Sequence, residues 1–315
     1  MEENKKLFVL QTANQRIEKA KSEEIPNMLF DELWYEGELL LFFAPTNLGK
    51  TMLAMQIANA ISKGENIDVL TIESEAQKVL YIDFELNDKQ FENRFSEDWN
   101  NHYVFSDNLL FATINKDFVD WNGEEQMIKA IENAIIESGA KVIVIDNITF
   151  VSEDSSKGDK ALALMRVLKN YKSKYGLSIM VIAHTVKRDQ TRPLLKDDMA
   201  GSSNLQNFAD TMMVLGDAGN IERYLKQLKA RYNGVKFGED NVIVFEIDPK
   251  GNLTQMKFKG FSEEYKFLKV IDKEQREEDI IEYKRKNPNA SLREIGEHFG
   301  VGKSTVGRLL DKPKE

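Results

Sequence analysis

The sequence predicts an α/β fold, a mainly parallel sheet wrapped by helices, closed by an antiparallel hairpin and followed by a small helical unit. Short apolar runs at 39–43, 79–82, 142–145 and 179–182 read as strands buried on both faces. Between them, 51–62 and 124–138 carry helical spacing. Late in the chain, 242–247 and 253–258 flank Asp248-Pro249-Lys250-Gly251-Asn252, which has the composition of a hairpin turn.

A length of 315 residues suits one large α/β domain plus a small appendage. The sequence divides into a polar arm over 1–30 with a short helix at 11–22, an α/β domain over 31–260, a connector over 261–273 and a helical unit over 274–315. The arm reads either as a solvated leader or as a segment that packs on a neighbouring subunit. With no cysteine, disulfides and thiolate metal sites are excluded. His102, His184 and His298 stand too far apart to give metal-ligand spacing. The charged start, Met1 to Lys6, lacks the apolar run of a signal peptide, and the longest apolar stretches are too short to span a bilayer. A cytoplasmic protein without membrane contact is the expectation. The net charge of −9 argues against a surface coated in basic residues for nucleic acid. From Lys284 to Lys314, however, eight Lys/Arg stand against three Asp/Glu, so contact with DNA is expected to be local.

The first strand runs into Ala44-Pro45-Thr46-Asn47-Leu48-Gly49-Lys50-Thr51, which opens a helix. This is the pattern of a phosphate-binding P-loop, with Ala44 where the first glycine normally stands. Backbone N–H groups and a helix N-terminus would cradle the phosphates of ATP. Lys50 would reach the β- and γ-phosphates, and Thr51 would offer its hydroxyl to Mg²⁺. Asp146, closing the strand at 142–145, is the second expected Mg²⁺ residue. Many ATPases place a catalytic glutamate directly after this aspartate, but here Asn147 follows. The water-activating carboxylate must come from elsewhere, and Glu85, ending the strand Val79-Leu80-Tyr81-Ile82-Asp83-Phe84-Glu85 on the same carboxyl edge of the sheet, is the candidate.

A P-loop, a glutamate ending the next strand and an aspartate strand without its own glutamate resemble the RecA/DnaB-like ATPases, with the plasmid RepA-type hexameric helicases closest. Ile82-Asp83-Phe84-Glu85-Leu86-Asn87 and the helix running to Arg94 resemble the family's glutamate motif. Ile182-Ala183-His184-Thr185 resembles its sensor strand, and Met199-Ala200-Gly201-Ser202-Ser203, ending in Ala209-Asp210, its following loop and helix. Leu228-Lys229-Ala230-Arg231 resembles the Lys-x-Arg segment that meets a neighbour's nucleotide. The resemblance covers 30–258 and implies a RecA-like core, His184 as γ-phosphate sensor, and Lys229 and Arg231 acting on a neighbouring subunit's ATP. It further implies a homo-oligomer, with a hexamer favoured, and loops after Ile148 and Val186 that face single-stranded DNA in a central channel. The second loop offers Lys187, Arg188, Arg192 and Lys196.

The tail reads as a helix-turn-helix. Ser291 and Glu294 form a capping box, Ile295, Phe299, Val306, Leu309 and Leu310 face inward, and Gly300 makes the turn. Lys303, Ser304, Thr305 and Arg308 open the second helix as candidates for duplex contact. Gly302-Lys303-Ser304 is not a second P-loop, because Glu297 occupies the first-glycine position and a helix precedes it. Together these features point to a ring-forming, ATP-driven DNA motor that serves replication of a plasmid, phage or mobile element. An ATP-switched DNA-binding regulator and a RecA/KaiC-like ATPase without unwinding activity stay open as alternatives.

Overall fold

The computed structural model describes residues 8–115, 117, 123–148, 157–186, 190–200, 203–268, 273–288, 290–299 and 301–310. The first half of the chain gives α1 (Ala13–Ala20), β1 (Met28–Phe30), β2 (Trp34–Tyr35), β3 (Leu39–Ala44), α2 (Lys50–Lys63), β4 (Val79–Asp83), α3 (Asp88–Arg94), β5 (Ser96–Glu97), β6 (Asn101–His102), β7 (Leu109–Thr113), α4 (Glu124–Ser138) and β8 (Val142–Asp146). The second half gives α5 (Lys157–Tyr175), β9 (Ser178–His184), β10 (Thr211–Gly219), β11 (Glu222–Lys229), β12 (Val242–Asp248), β13 (Gln255–Ser262), α6 (Lys273–Lys286), α7 (Leu292–Phe299) and α8 (Lys303–Leu310).

Among the described residues, nine strands form one sheet in the order β13-β12-β11-β10-β3-β9-β8-β4-β7. The six strands from β10 to β7 run parallel, and β11, β12 and β13 join antiparallel. This is the expected α/β architecture, a mainly parallel sheet closed by antiparallel strands. The antiparallel part is larger than the single hairpin read from sequence, because the chain already reverses after β10. Gly219 and Asn220 take the left-handed backbone there, φ 90 and 48, a conformation that glycine and asparagine tolerate best.

Strand alternation explains the core. Leu40, Phe42 and Ala44 of β3 pack into one buried cluster, while Leu39, Leu41 and Phe43 pack into another on the opposite face. Both faces are covered, so β3 is apolar throughout rather than alternating. The parallel register then brings the carboxyl ends of the strands together, with Ala44 beside His184 and Asp83 beside Asp146.

No residue of α1 is buried, whereas Leu29 and Phe30 are fully so, which places the start of the core near β1. At the other end the expected connector is not loose from 261 onward. Glu264 is fully buried, with Lys226 ion-paired to it and Tyr224 donating its hydroxyl at 3.0 Å. Phe267 stacks on Tyr224 at 5.4 Å. A buried carboxylate with so many partners ties the stretch through Phe267 to the core.

The tail has its own small core of Ile280, Ile295, Val306 and Leu309, built from α6, α7 and α8. Ser291 and Glu294 form the expected capping box, at 2.7 and 3.2 Å. Gly300, expected at the turn, lies outside the described residues. Among the described residues a close approach falls at Gly296, where an added Cβ would meet the Val301 carbonyl oxygen at 2.6 Å. Among the described residues no helix is long and apolar enough to cross a membrane.

Candidate active site

β3 delivers its carboxyl end to the loop that precedes α2. Asn47 and Gly49 take left-handed backbone, φ 65 and 90, which turns successive N–H groups toward one side. Ala44 ends β3 fully buried and in regular strand pairing, so the missing first glycine leaves the strand intact. Arg223 of β11 donates to the Leu48 carbonyl at 3.2 Å and fastens the loop from behind. Lys50, in the first turn of α2, is buried. It lines a cavity of about 610 Å³ together with Pro45, Thr46, Asn47, Gly49, Thr51, Glu85, Arg94 and His184. The β12–β13 turn closes the cavity through Pro249, Gly251 and Thr254.

Asp146 is fully buried at the end of β8, and Tyr81 donates its hydroxyl to Oδ2 at 2.8 Å. Its other oxygen, Oδ1, is buried without a hydrogen-bond partner. Burial raises the Asp146 carboxyl above the usual range, while Lys50 and the Tyr81 and Thr51 hydroxyls pull it down. A buried carboxylate oxygen with no partner, beside a threonine hydroxyl, is a donor set of the hard-oxygen kind that Mg²⁺ takes. Thr51 and Asp146 therefore fit as the residues that would hold the ion. Bound there, Mg²⁺ would offset charge on the β- and γ-phosphates.

Glu85 does not end the strand as expected: it lies two residues beyond β4, where the chain turns as Asp83 Oδ1 accepts from the Glu85 and Leu86 N–H groups, and it is half-buried. Asn147 donates from Nδ2 to its Oε1, and the same nitrogen stands 3.2 Å from His184 Nε2. His184 Nε2 is itself 3.6 Å from Glu85 Oε1. The His184 imidazole holds the Glu85 carboxyl below the usual range, and Lys50 adds to this against the opposing effect of burial. Glu85 is thus a carboxylate near neutral pH, the form able to accept a proton from water.

The family model described as an AAA domain matches residues 7–190, a span that includes Lys50, Thr51, Glu85, Asp146 and His184. The chain belongs to the AAA domain family. With the loop at Gly49-Lys50-Thr51, it is a P-loop ATPase by family. Among solved structures, a KaiC-like protein from the hyperthermophilic archaeon Pyrococcus horikoshii OT3 is 16% identical, with a TM-score of 0.47 over 72% of this chain and 91% of that one. No curated protein matches the chain.

The remaining expected residues of this AAA domain protein do not all fall at the cavity. Lys229 ends β11 and donates to the Gln206 and Ala209 carbonyls, both at 2.8 Å. Arg231 lies two residues past that strand and pairs with Asp210 Oδ1 at 2.6 Å. Arg192, expected on a free basic loop, is instead bound through both guanidinium nitrogens to the buried Asp198. That carboxylate would be left uncompensated if Arg192 turned to DNA. Lys196 is exposed, while Lys187, Arg188 and the loop after Ile148 lie outside the described residues. In α8, Lys303, Ser304 and Arg308 are exposed and Thr305 is half-buried.

Sequence reasoning assigned no role to Asn147, Tyr81 or Arg94. Asn147 was visible only as the absence of a glutamate. Tyr81 and Asp146 meet because β4 and β8 are parallel neighbours in register. Arg94 ends α3 at the rim of the cavity, and no feature of its local sequence separates it from an ordinary exposed arginine.

Proposed function

We propose that this ATPase is a ring-forming DNA motor of the RepA/DnaB helicase type, acting in the cytoplasm in replication of a plasmid, phage or mobile element. Lys50 would bind the phosphates and Glu85 would orient the attacking water. The water oxygen forms the new bond to the γ-phosphorus, the bond to the ADP leaving group breaks, and the water's proton passes to Glu85. His184, lining the same cavity, would report the state of the γ-phosphate.

The observation that carries the oligomeric reading is the position of Arg231. Its partner Asp210 donates its backbone N–H to the Leu39 carbonyl at 2.8 Å, at the start of β3, whereas the P-loop follows the end of that strand. Five residues of strand separate the two ends, roughly 17 Å, beyond the reach of an arginine side chain. Arg231 would therefore serve hydrolysis only in a neighbouring subunit's site, a head-to-tail contact that forms a ring where its rotation closes. Arg231→Ala should bind ATP but hydrolyse it poorly, with a loss of roughly 10³-fold or more if it acts as an arginine finger. Mixing it with Lys50→Ala should restore activity at interfaces that pair an intact P-loop with an intact arginine. No recovery between subunits that demonstrably exchange, together with near wild-type activity of Arg231→Ala alone, would rule out the shared site.

The exposed Lys303, Ser304 and Arg308 of α8 support duplex contact by the tail, and they equally favour the second reading, an ATP-switched DNA-binding regulator. Removal of residues 274–315 should weaken duplex binding and flatten its salt dependence, because fewer counterions are released, while ATPase activity survives. Unchanged duplex affinity would instead make the tail a protein-binding unit. A strand-displacement assay separates the motor, which unwinds, from the regulator, which does not.

A further inference from the structure

We propose that Asn147 is a positioning residue that fixes the Glu85 carboxylate against His184, so that the water-activating group and the phosphate-facing imidazole act as one unit. The proposal rests on the ATPase reading and adds to it the device that aims the base.

The geometry begins with strand order. β8 lies between β4 and β9 in the sheet, so a side chain just past the end of β8 stands between those that follow β4 and end β9. Asn147 occupies that place. Asp146 beside it is already engaged with Tyr81. Asn147 is 3% exposed, against 35% for the Glu85 side chain and 29% for that of His184. The buried amide is the fixed member of the group, and the two groups it touches border the cavity.

The chemistry admits one orientation. A carboxylate only accepts hydrogen bonds, so the amide nitrogen and not its oxygen must face Glu85. That nitrogen carries two hydrogens, and His184 Nε2 at 3.2 Å lies within reach of the same atom. A glutamate directly after Asp146 would be held by the strand end itself. Glu85, two residues beyond its own strand, needs a donor from the neighbouring strand to hold its carboxylate toward the cavity. Without that donor the half-exposed side chain is free to turn to solvent, and misplacement of a reacting group by about 1 Å can cost 10²-fold in rate.

The test is steady-state ATP hydrolysis by the full chain carrying Asn147→Ala, alone and combined with Glu85→Gln, with ATP affinity measured in parallel. The expected result is a fall in kcat of roughly 10- to 100-fold with ATP affinity within about twofold of wild type, because the P-loop contacts are separate. In the Glu85→Gln background the same substitution should cost little more, since the carboxylate it positions is gone. Asn147→Asp keeps the shape but loses both donors, so it should be at least as slow as Asn147→Ala, and it serves if the alanine variant does not fold. Wild-type kcat in either variant, or an equal loss in both backgrounds, would overturn the proposal. Failure of the wild-type chain itself to hydrolyse ATP would instead overturn the ATPase reading on which it rests.

Discussion

Replacing Lys50 with alanine should abolish ATP turnover and sharply weaken ATP binding. Lys50 is a buried cation lining the cavity, in the first turn of α2. A charge pair at about 4 Å contributes about 4 kcal/mol at an effective dielectric of 20, which corresponds to roughly 10³-fold in affinity before compensation by solvent. The loss extends beyond the nucleotide. Lys50 draws down both Asp146, already raised by burial, and Glu85. Without it, the expected metal ligand is pushed further toward its neutral form and the base loses one of the charges that keeps it ionised. Titration with a fluorescent ATP analogue, together with phosphate release, measures both effects. Wild-type binding and turnover in the variant would remove Lys50 from the site.

Glu85→Gln should separate binding from chemistry. Glutamine preserves length and shape, and the P-loop, Thr51 and Asp146 are untouched, so ATP should bind about as tightly as in the wild type. Turnover should fall roughly 10²- to 10⁴-fold, the usual contribution of a positioned general base. The sign of the pH dependence follows from the same geometry. His184 holds the Glu85 carboxyl below the ordinary range, with help from Lys50 and against burial. Activity that needs ionised Glu85 is therefore kept as pH falls through the range where a free glutamate protonates, and is lost below it. Single-turnover hydrolysis of bound ATP checks the rate, and turnover by Glu85→Gln at the wild-type rate would place the base elsewhere.

What the sequence made legible was local. The P-loop needs a buried strand, a tight loop and a helix start within a short stretch of chain, and all three could be read between Leu39 and Lys63. Asp146 and Glu85 could be picked out as candidates for the same reason, each following an apolar run. What escaped depended on strands and loops meeting across the fold. Asn147 gains its role only because β8 lies between β4 and β9. Arg192 read as a free cation because nothing in the sequence announces that Asp198, six residues on, is buried beneath it. Glu264 looked like connector, yet it is held by Lys226, which stands 38 positions earlier in a strand. The tail was legible because its capping box and apolar spacing are local, although the close approach at Gly296, inside the first of the two predicted helices, was not.

The most direct test of the whole account is release of inorganic phosphate from ATP by the purified full chain, with Mg²⁺ and with excess chelator, beside Lys50→Ala and Glu85→Gln prepared in the same way. The account predicts steady release that requires Mg²⁺, disappears to background in Lys50→Ala and falls roughly 10²- to 10⁴-fold in Glu85→Gln. A folded wild-type chain that releases no phosphate, or release that persists unchanged in both variants, would contradict it.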